Sequence, residues 1–149
     1  MNWCERLASF LKKRGRYRMI WRFDEQSKTD ISIEGIPYLE RWYIVRTKWF
    51  GLFLHRFWAS DEDGFHDHPW NNFSWVVKGG YWENLPDGQR LWRPIGFKKY
   101  RTAEEFHRLE IPVGGEGQTW TIFGRFKRRR KWGFWEKDGW KPAPVQKGE

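Results

Sequence analysis

Cysteine is nearly missing from this chain: Cys4 stands alone among 149 residues, so no intrachain disulfide can form and a reducing compartment is the natural reading. Long apolar runs are missing as well. No stretch approaches the ~20 residues that cross a bilayer, and the first hydrophobic patch is short and followed by Lys12, Lys13 and Arg14, unlike a cleaved signal. A cytoplasmic protein without a membrane span is expected. Several signatures of nucleotide and metal chemistry are lacking too. The glycines of residues 112–117 have neither the Walker spacing nor its terminal Lys-Ser/Thr pair. The acidic stretch 59–64 lacks the alternating ligands of an EF-hand loop and reads as a solvated turn. No RNP, KH or zinc-finger pattern occurs. Nowhere does a histidine stand two residues before an aspartate, which excludes the usual 2-His-1-carboxylate iron triad and argues against a 2-oxoglutarate oxygenase.

What the chain has in quantity is aromatic side chains and positive charge. Thirteen Trp, twelve Phe and five Tyr outweigh its modest Leu, Ile and Val. Rings bury large areas each and suit strands, so few of them can build a small β core. The net charge of +9, from 28 basic and 19 acidic residues, favours anionic partners such as nucleotides, phosphorylated metabolites, nucleic acid or an anionic membrane surface. The length supports one domain, expected over residues 1–140, with residues 141–149 as a flexible tail containing Pro142, Pro144 and Gly148.

Asn2 is placed to cap a helix over 3–13, with Trp3, Leu7, Phe10 and Leu11 as its apolar stripe and Gly15 as its stop. Such a stripe predicts a lid on the rest of the domain. Beyond it come short strand-like runs punctuated by turns: 17–23, 31–33, 38–47, 49–58, 73–77, 81–83, 91–95, 97–101, 107–111 and 118–126. Gly79-Gly80 and Asp87-Gly88 supply turns, and residues 24–30 read as a polar turn. Many short strands and no second helical period predict an all-β barrel or sandwich.

Half of the four histidines, His66 and His68, stand two apart in an extended stretch, so their rings point to one side while Asp67 faces the other. Two imidazoles on one strand face are costly to bury without a partner, and neutral imidazole is the commonest metal ligand. His107 shares a face with Leu109 and Ile111 on a later strand, opposite to Arg108 and Glu110. His55, eleven residues before His66, is a candidate fourth ligand or a structural neighbour.

These residues resemble the first motif of the cupin superfamily, a histidine pair followed by three or four residues, a glutamate, six residues and a glycine. Asn72 stands where that glutamate would be, Gly79 is the glycine, and Ser60 replaces the motif's upstream glycine. His107 is similar to the histidine of the second cupin motif. The resemblance covers about residues 38–135, and the strings His-Asp-His-Pro-Trp, Gly-Gly-Tyr-Trp-Glu and Lys-Trp-Gly-Phe-Trp resemble small uncharacterised cupin-like proteins of bacterial viruses. It implies a double-stranded β-helix, or jelly-roll barrel, with a short N-terminal helix. It also implies a divalent transition metal, iron(II) or zinc, on His66, His68 and His107, with Asn72 as a weak ligand or a hydrogen-bond partner of a water on the ion.

The expected function is a metal-dependent enzyme acting on a small anionic substrate. Glu83 is the candidate acid or base, and Arg101 and Arg108 are the candidates for fixing the anion. Oxygenase, isomerase and hydrolase chemistry all suit three histidines with open coordination positions. The alternative is a non-catalytic protein that binds nucleotides or, weakly, nucleic acid. It would use Arg128, Arg129, Arg130 and Lys131 for phosphates and Trp132 for stacking. A structural, virus-associated protein and a homodimer stay open.

Overall fold

The structure, a computed structural model, describes residues 1–22, 35–61 and 64–143. The turn expected over 24–30, the strand over 31–33, the acids Glu62 and Asp63 and the end of the tail lie outside the described residues. The chain runs α1 (Trp3–Lys13), β1 (Tyr17–Arg22), β2 (Ile36–Arg46), β3 (Gly51–Phe57), β4 (Phe65–His66), β5 (Asn72–Lys78), β6 (Gly80–Asn84), β7 (Arg90–Pro94), β8 (Lys98–Arg101), β9 (Arg108–Glu110), β10 (Thr119–Arg125), β11 (Gly133–Glu136) and β12 (Gly139–Pro142). Six strands form one sheet in the order β1-β2-β3-β10-β5-β8, and two smaller sheets, β12-β11-β4 and β7-β6-β9, face it.

Helix α1 begins where the sequence places it because Asn2 and Glu5 cap each other reciprocally. The Glu5 amide donates to Asn2 Oδ1 at 3.0 Å, and the Asn2 amide donates to Glu5 Oε2 at 2.9 Å. A capping box of this kind contributes about 1 kcal/mol. The helix ends as Gly15 turns to positive φ and the amides of Arg14, Gly15 and Arg16 satisfy the last carbonyls. Its buried face differs from the expected stripe. Cys4, Ala8 and Leu11 point inward with Leu7 beside them, whereas Trp3 and Phe10 are both half exposed. The periodicity is the same, but the small side chains let the helix lie close over the outer face of the large sheet. There it covers Leu54, Val77 and the stacked pair Trp42–Trp120, whose rings are 5.4 Å apart. Full burial of Leu11 and Leu54 contributes about 1.5–3 kcal/mol each.

The inner face of the large sheet is a second core. Leu39, Phe57 and Val76 meet Tyr81, Leu109 and Ile111 from the sheet opposite. The alternation of β3 sends Phe53, His55 and Phe57 to this side, while Leu54 faces the helix. Gly79 makes the β5–β6 turn with φ +69°, and a Cβ there would stand 2.6 Å from the Gln118 carbonyl oxygen, so only glycine fits. At the C-terminal end, β12 takes up Lys141 and Pro142, and the Ala143 amide donates to the Trp132 carbonyl at 2.9 Å. The segment expected as tail from residue 141 thus begins inside a strand, because Trp135 and Trp140 pair across the hairpin.

Candidate metal centre

Three elements bring the histidines together. His66 ends β4 and exchanges two backbone hydrogen bonds with His107, N–O 3.0 and 3.1 Å, so the two rings project from adjacent strands on one side. His68 is fixed two residues on, where its amide donates to the Ala103 carbonyl at 3.1 Å. Ring centroids are 4.8 Å apart for His66–His107 and 5.1 Å for both His66–His68 and His68–His107. One ring nitrogen of each lies within 4.8 Å of the others. His107 is 8% exposed and the other two are half-buried.

The nitrogens themselves indicate an electrophile. His107 Nδ1 lies 3.0 Å from Glu83 Oε1 and donates to it, which assigns the remaining Nε2 as the lone-pair nitrogen. That Nε2 is buried without a hydrogen-bond partner among the described residues, and so is His68 Nδ1. Buried polar atoms are almost always satisfied. A site of three imidazoles with two orphaned nitrogens therefore fits a divalent cation. Burial holds His107 and His68 neutral, the form that ligates. It pushes His107 down to about 4 against the upward pull of Glu83, and it pushes His68 well below the ordinary histidine value, helped by His66 and His107.

Glu83 has no exposed surface and sits on β6 behind His107. Arg101 pairs with its Oε1, and Arg93 Nε donates to its Oε2 at 2.7 Å. Burial works to raise its pKa, but the His107 hydrogen bond and the Arg101 charge outweigh that and hold the carboxyl well below the usual range. A carboxylate so ionised has no proton to give. In this form it accepts from His107, and of the expected acid-or-base role the acid half is not open to it. Arg101, 2% exposed, is spent on Glu83 and on Ser74, to whose Oγ it donates at 3.0 Å. It borders the cavity as a brace rather than as the anion hook anticipated. Arg108 is on the outward side of β9, 3.7 Å from Glu110, and does not line the cavity. Asn72, 1% exposed, does line it, with Nδ2 donating to the Trp70 carbonyl at 3.3 Å.

The histidines open onto a cavity of about 440 Å³ between the large sheet and β4–β11. Its walls include Phe57, Trp70, Phe123, Trp132 and Phe134, and also His55. His55 is apart from the triad. Its Nε2 accepts from Arg41 Nε at 3.0 Å, and burial with the Arg41 charge holds it well below the ordinary histidine value.

Two aspartates do work that the sequence reading did not assign. Asp61, expected in a solvated turn, is 7% exposed; it accepts from Tyr38 and from the Leu109 amide and lies 3.7 Å from His66 Nδ1. Asp67 faces away from the histidines as expected and is fully buried. It accepts from Arg130 Nη1 and the Gly133 amide, each at 2.6 Å, and from Trp140 Nε1 at 3.0 Å. The basic run is thereby partly consumed. Arg130 is paired with Asp67, Arg129 donates to Asn71 Oδ1 at 2.8 Å, and Trp132 turns to the cavity, 6.4 Å from His66. Arg128 and Lys131 stay exposed.

Neither a protein-family model nor a curated protein matches the sequence. Solved structures match the fold. A protein of unknown function with a cupin-like fold from Ralstonia eutropha is 16% identical with a TM-score of 0.55, covering 72% of this chain and 65% of its own. A protein with a double-stranded β-helix domain from Klebsiella pneumoniae is 15% identical with a TM-score of 0.52, covering 67% and 86%. Fe(II)-HppE with the alternative substrate (S)-1-HPP is 15% identical with a TM-score of 0.55, covering 75% and 57%. This chain thus spans just under two thirds of the Ralstonia protein and little more than half of HppE. The fold is the cupin-like double-stranded β-helix, all-β with one short N-terminal helix.

Proposed function

We propose that the protein is a metal-dependent enzyme that turns over a small anionic substrate in the cavity before His66, His68 and His107. The observation that carries this reading is the pair of orphaned buried nitrogens, His107 Nε2 and His68 Nδ1, within a three-imidazole cluster that borders a cavity. His66, His68 and His107 would hold iron(II) or zinc. Such an ion supplies Lewis acidity and, for iron, redox chemistry, so oxygenation, isomerisation and hydrolysis all suit the site.

The chain's own residues have separable tasks. Glu83 keeps the His107 proton on Nδ1 and its Nε2 turned to the site. Arg93 and Arg101 hold Glu83 ionised. The aromatic walls Phe57, Trp70, Phe123, Trp132 and Phe134 give the cavity an apolar lining beside the histidines, which strengthens charge interactions there. Among the described lining residues Arg22 and Arg41 stand with the single carboxylate of Asp61, while Arg101 is already paired with Glu83, and the net charge of +9 favours an anion.

Element analysis of the purified protein tests the reading. About one divalent transition metal per chain is expected, and none in the His66→Ala/His68→Ala double variant. Stoichiometric metal retained by that variant overturns it.

A second reading, capture of nucleic acid, is favoured by one observation outside the cavity. Lys127 Nζ stands 4.5 Å over the exposed ring of Trp49, and exposed Phe126 and Tyr100 lie 6.1 Å apart nearby on the same rim. Cations beside open rings suit single strands. Oligonucleotide affinity should then fall steeply with salt, and the slope should shrink when Lys127 and Arg128 are neutralised. Absence of binding at low salt removes this reading.

A further inference from the structure

The outer face of the large sheet is only partly covered. Helix α1 lies over Leu54, Val77, Trp42 and Trp120, with Ile122 half-buried against them. Beyond the helix, outward positions on four neighbouring strands continue as two cross-strand rows, from β3 through β10 and β5 to β8. One row is Leu52–Gly124–Phe73–Tyr100 and the other is Leu54–Ile122–Trp75–Lys98. Trp75 and Tyr100 are exposed, and so is Phe126 just past the end of β10. The surface between them is low, because the Phe73 ring lies over Gly124, where a Cβ would stand 2.0 Å from it. Phe126 closes the patch, 6.1 Å from Tyr100 and 6.4 Å from Phe73.

The charge of this face has one sign. Strands β3, β5, β8 and β10 contain no acidic residue. Lys98 Nζ stands 4.6 Å over the Trp75 ring and Lys127 Nζ 4.5 Å over that of Trp49, and among the described residues neither lysine makes an ion pair. An amine over an exposed ring is held weakly, so each can yield the ring face to a ligand and keep its charge alongside. A second copy docked by this face would bring like charges together. The partner that fits carries negative charge and flat π faces in alternation, which is the chemistry of a nucleic-acid strand with its bases unstacked. Trp75 and Tyr100 are diagonal neighbours on adjacent strands, about 7–8 Å apart, and so offer one ring to each of two successive bases. Sheet faces with exposed rings hold bases in this way.

From these rows we infer that the uncovered part of the outer face binds single-stranded nucleic acid, with bases stacked on Trp75 and Tyr100 and phosphates held by Lys98 and Lys127. It deepens the nucleic-acid reading above and rests on it, naming the strand state and the sheet surface that take part. Duplex does not suit the face, because its bases turn their π faces to one another. The cavity and its histidines lie on the opposite side of the sheet and are not involved.

Anisotropy titration of the full chain with short labelled oligo(dU) and oligo(U) tests it; the two differ only in the sugar and so tell DNA from RNA. An abasic strand of the same length, which has the charge without the rings, should bind at least about fivefold more weakly at low salt. Trp75→Leu and Tyr100→Ser should each weaken the intact strand about fivefold or more with the salt slope kept, whereas Lys98→Gln should reduce that slope. Far-ultraviolet circular dichroism of each variant should match wild type; if Trp75→Leu does not fold, Tyr100→Ser and the abasic strand decide. Equal affinity for intact and abasic strands overturns the inference, as do Trp75 and Tyr100 variants that bind as well as wild type. Vesicles containing phosphatidylserine bound in preference to the strand, or a dimer that Trp75→Leu dissociates, overturn it too. Strand binding that depends on Lys127 and Arg128 but not on Trp75 and Tyr100 sinks only this inference and leaves the nucleic-acid reading standing. No binding of any strand at low salt removes both.

Discussion

Glu83 sets what His107 can do. The carboxylate is fully buried, accepts from His107 and is paired with two arginines, so changing it alters both the imidazole tautomer and the charge balance behind it. Glu83→Gln keeps the shape but leaves Arg101 and Arg93 facing a neutral amide. Removing one partner of a buried ion pair costs about 3–5 kcal/mol, and outer hydrogen bonds to a ligating histidine are worth about 10–100-fold in metal affinity. We expect Glu83→Gln to show both losses, by urea denaturation and by zinc titration. Unchanged zinc affinity would mean that Glu83 only supports the fold. Asn72 poses the converse question. It borders the cavity and pairs across the sheet with Arg101, so Asn72→Glu places a carboxylate near the triad with a guanidinium beside it. Tighter zinc binding is expected, with slower turnover because an added ligand occupies a coordination position. If zinc affinity does not change, residue 72 does not face the ion.

At the scale of elements, Asp67 fastens the β11–β12 hairpin to the histidine strand. Its three donors come from Arg130, Gly133 and Trp140, all within or next to that hairpin. Gly133 must be glycine here, since a Cβ would stand 2.0 Å from the Lys141 carbonyl oxygen. Asp67→Ala leaves Arg130 and a buried amide unpaired, and a loss of about 3–5 kcal/mol is expected. Faster hydrogen exchange over residues 133–142 should accompany it; a uniform change over the whole chain would contradict the fastening role. This pair also shows where sequence reading stops. The helix, the strands β1 to β3 and β5 to β10 and the histidine faces were legible because caps, alternation and turn glycines are local. Asp67 was correctly turned away from His68, but nothing local says that it meets Arg130, 63 residues on. For the same reason Arg129 and Arg130 read as a free basic surface, and Asp61 as a solvated acid. Glu83 read as a candidate acid or base because its two arginines arrive from β7 and β8 only once the sheets close.

For the molecule as a whole, the buried histidines make stability depend on pH, and the sign follows from their direction. Burial holds His55 and His68 well below the ordinary value, and holds His107 at about 4 against 6.5 for an exposed histidine. Between those values the unfolded chain carries more protons than the folded one, so stability rises with pH across this window and levels off above about 6.5. On acidification the loss begins near 6.5 and, for His107, is complete below about 4. His107 alone accounts for on the order of 3 kcal/mol at the acid end. Glu83 adds in the same direction at still lower pH, since its carboxyl is held below the usual range and its contribution is lost as pH falls through that lowered value. Urea midpoints of metal-free protein should therefore be flat from pH 8 to 7 and fall steadily from about 6.5 to 4. Added zinc should raise the midpoint at pH 7.5 and lose that effect only as pH falls through about 4, because the ion binds only the folded chain, in which His107 takes up a proton near that value. A midpoint that stays constant between pH 7 and 4.5 without metal would mean that the histidines titrate freely, and that the rings are not held in the buried, neutral state on which the metal site depends.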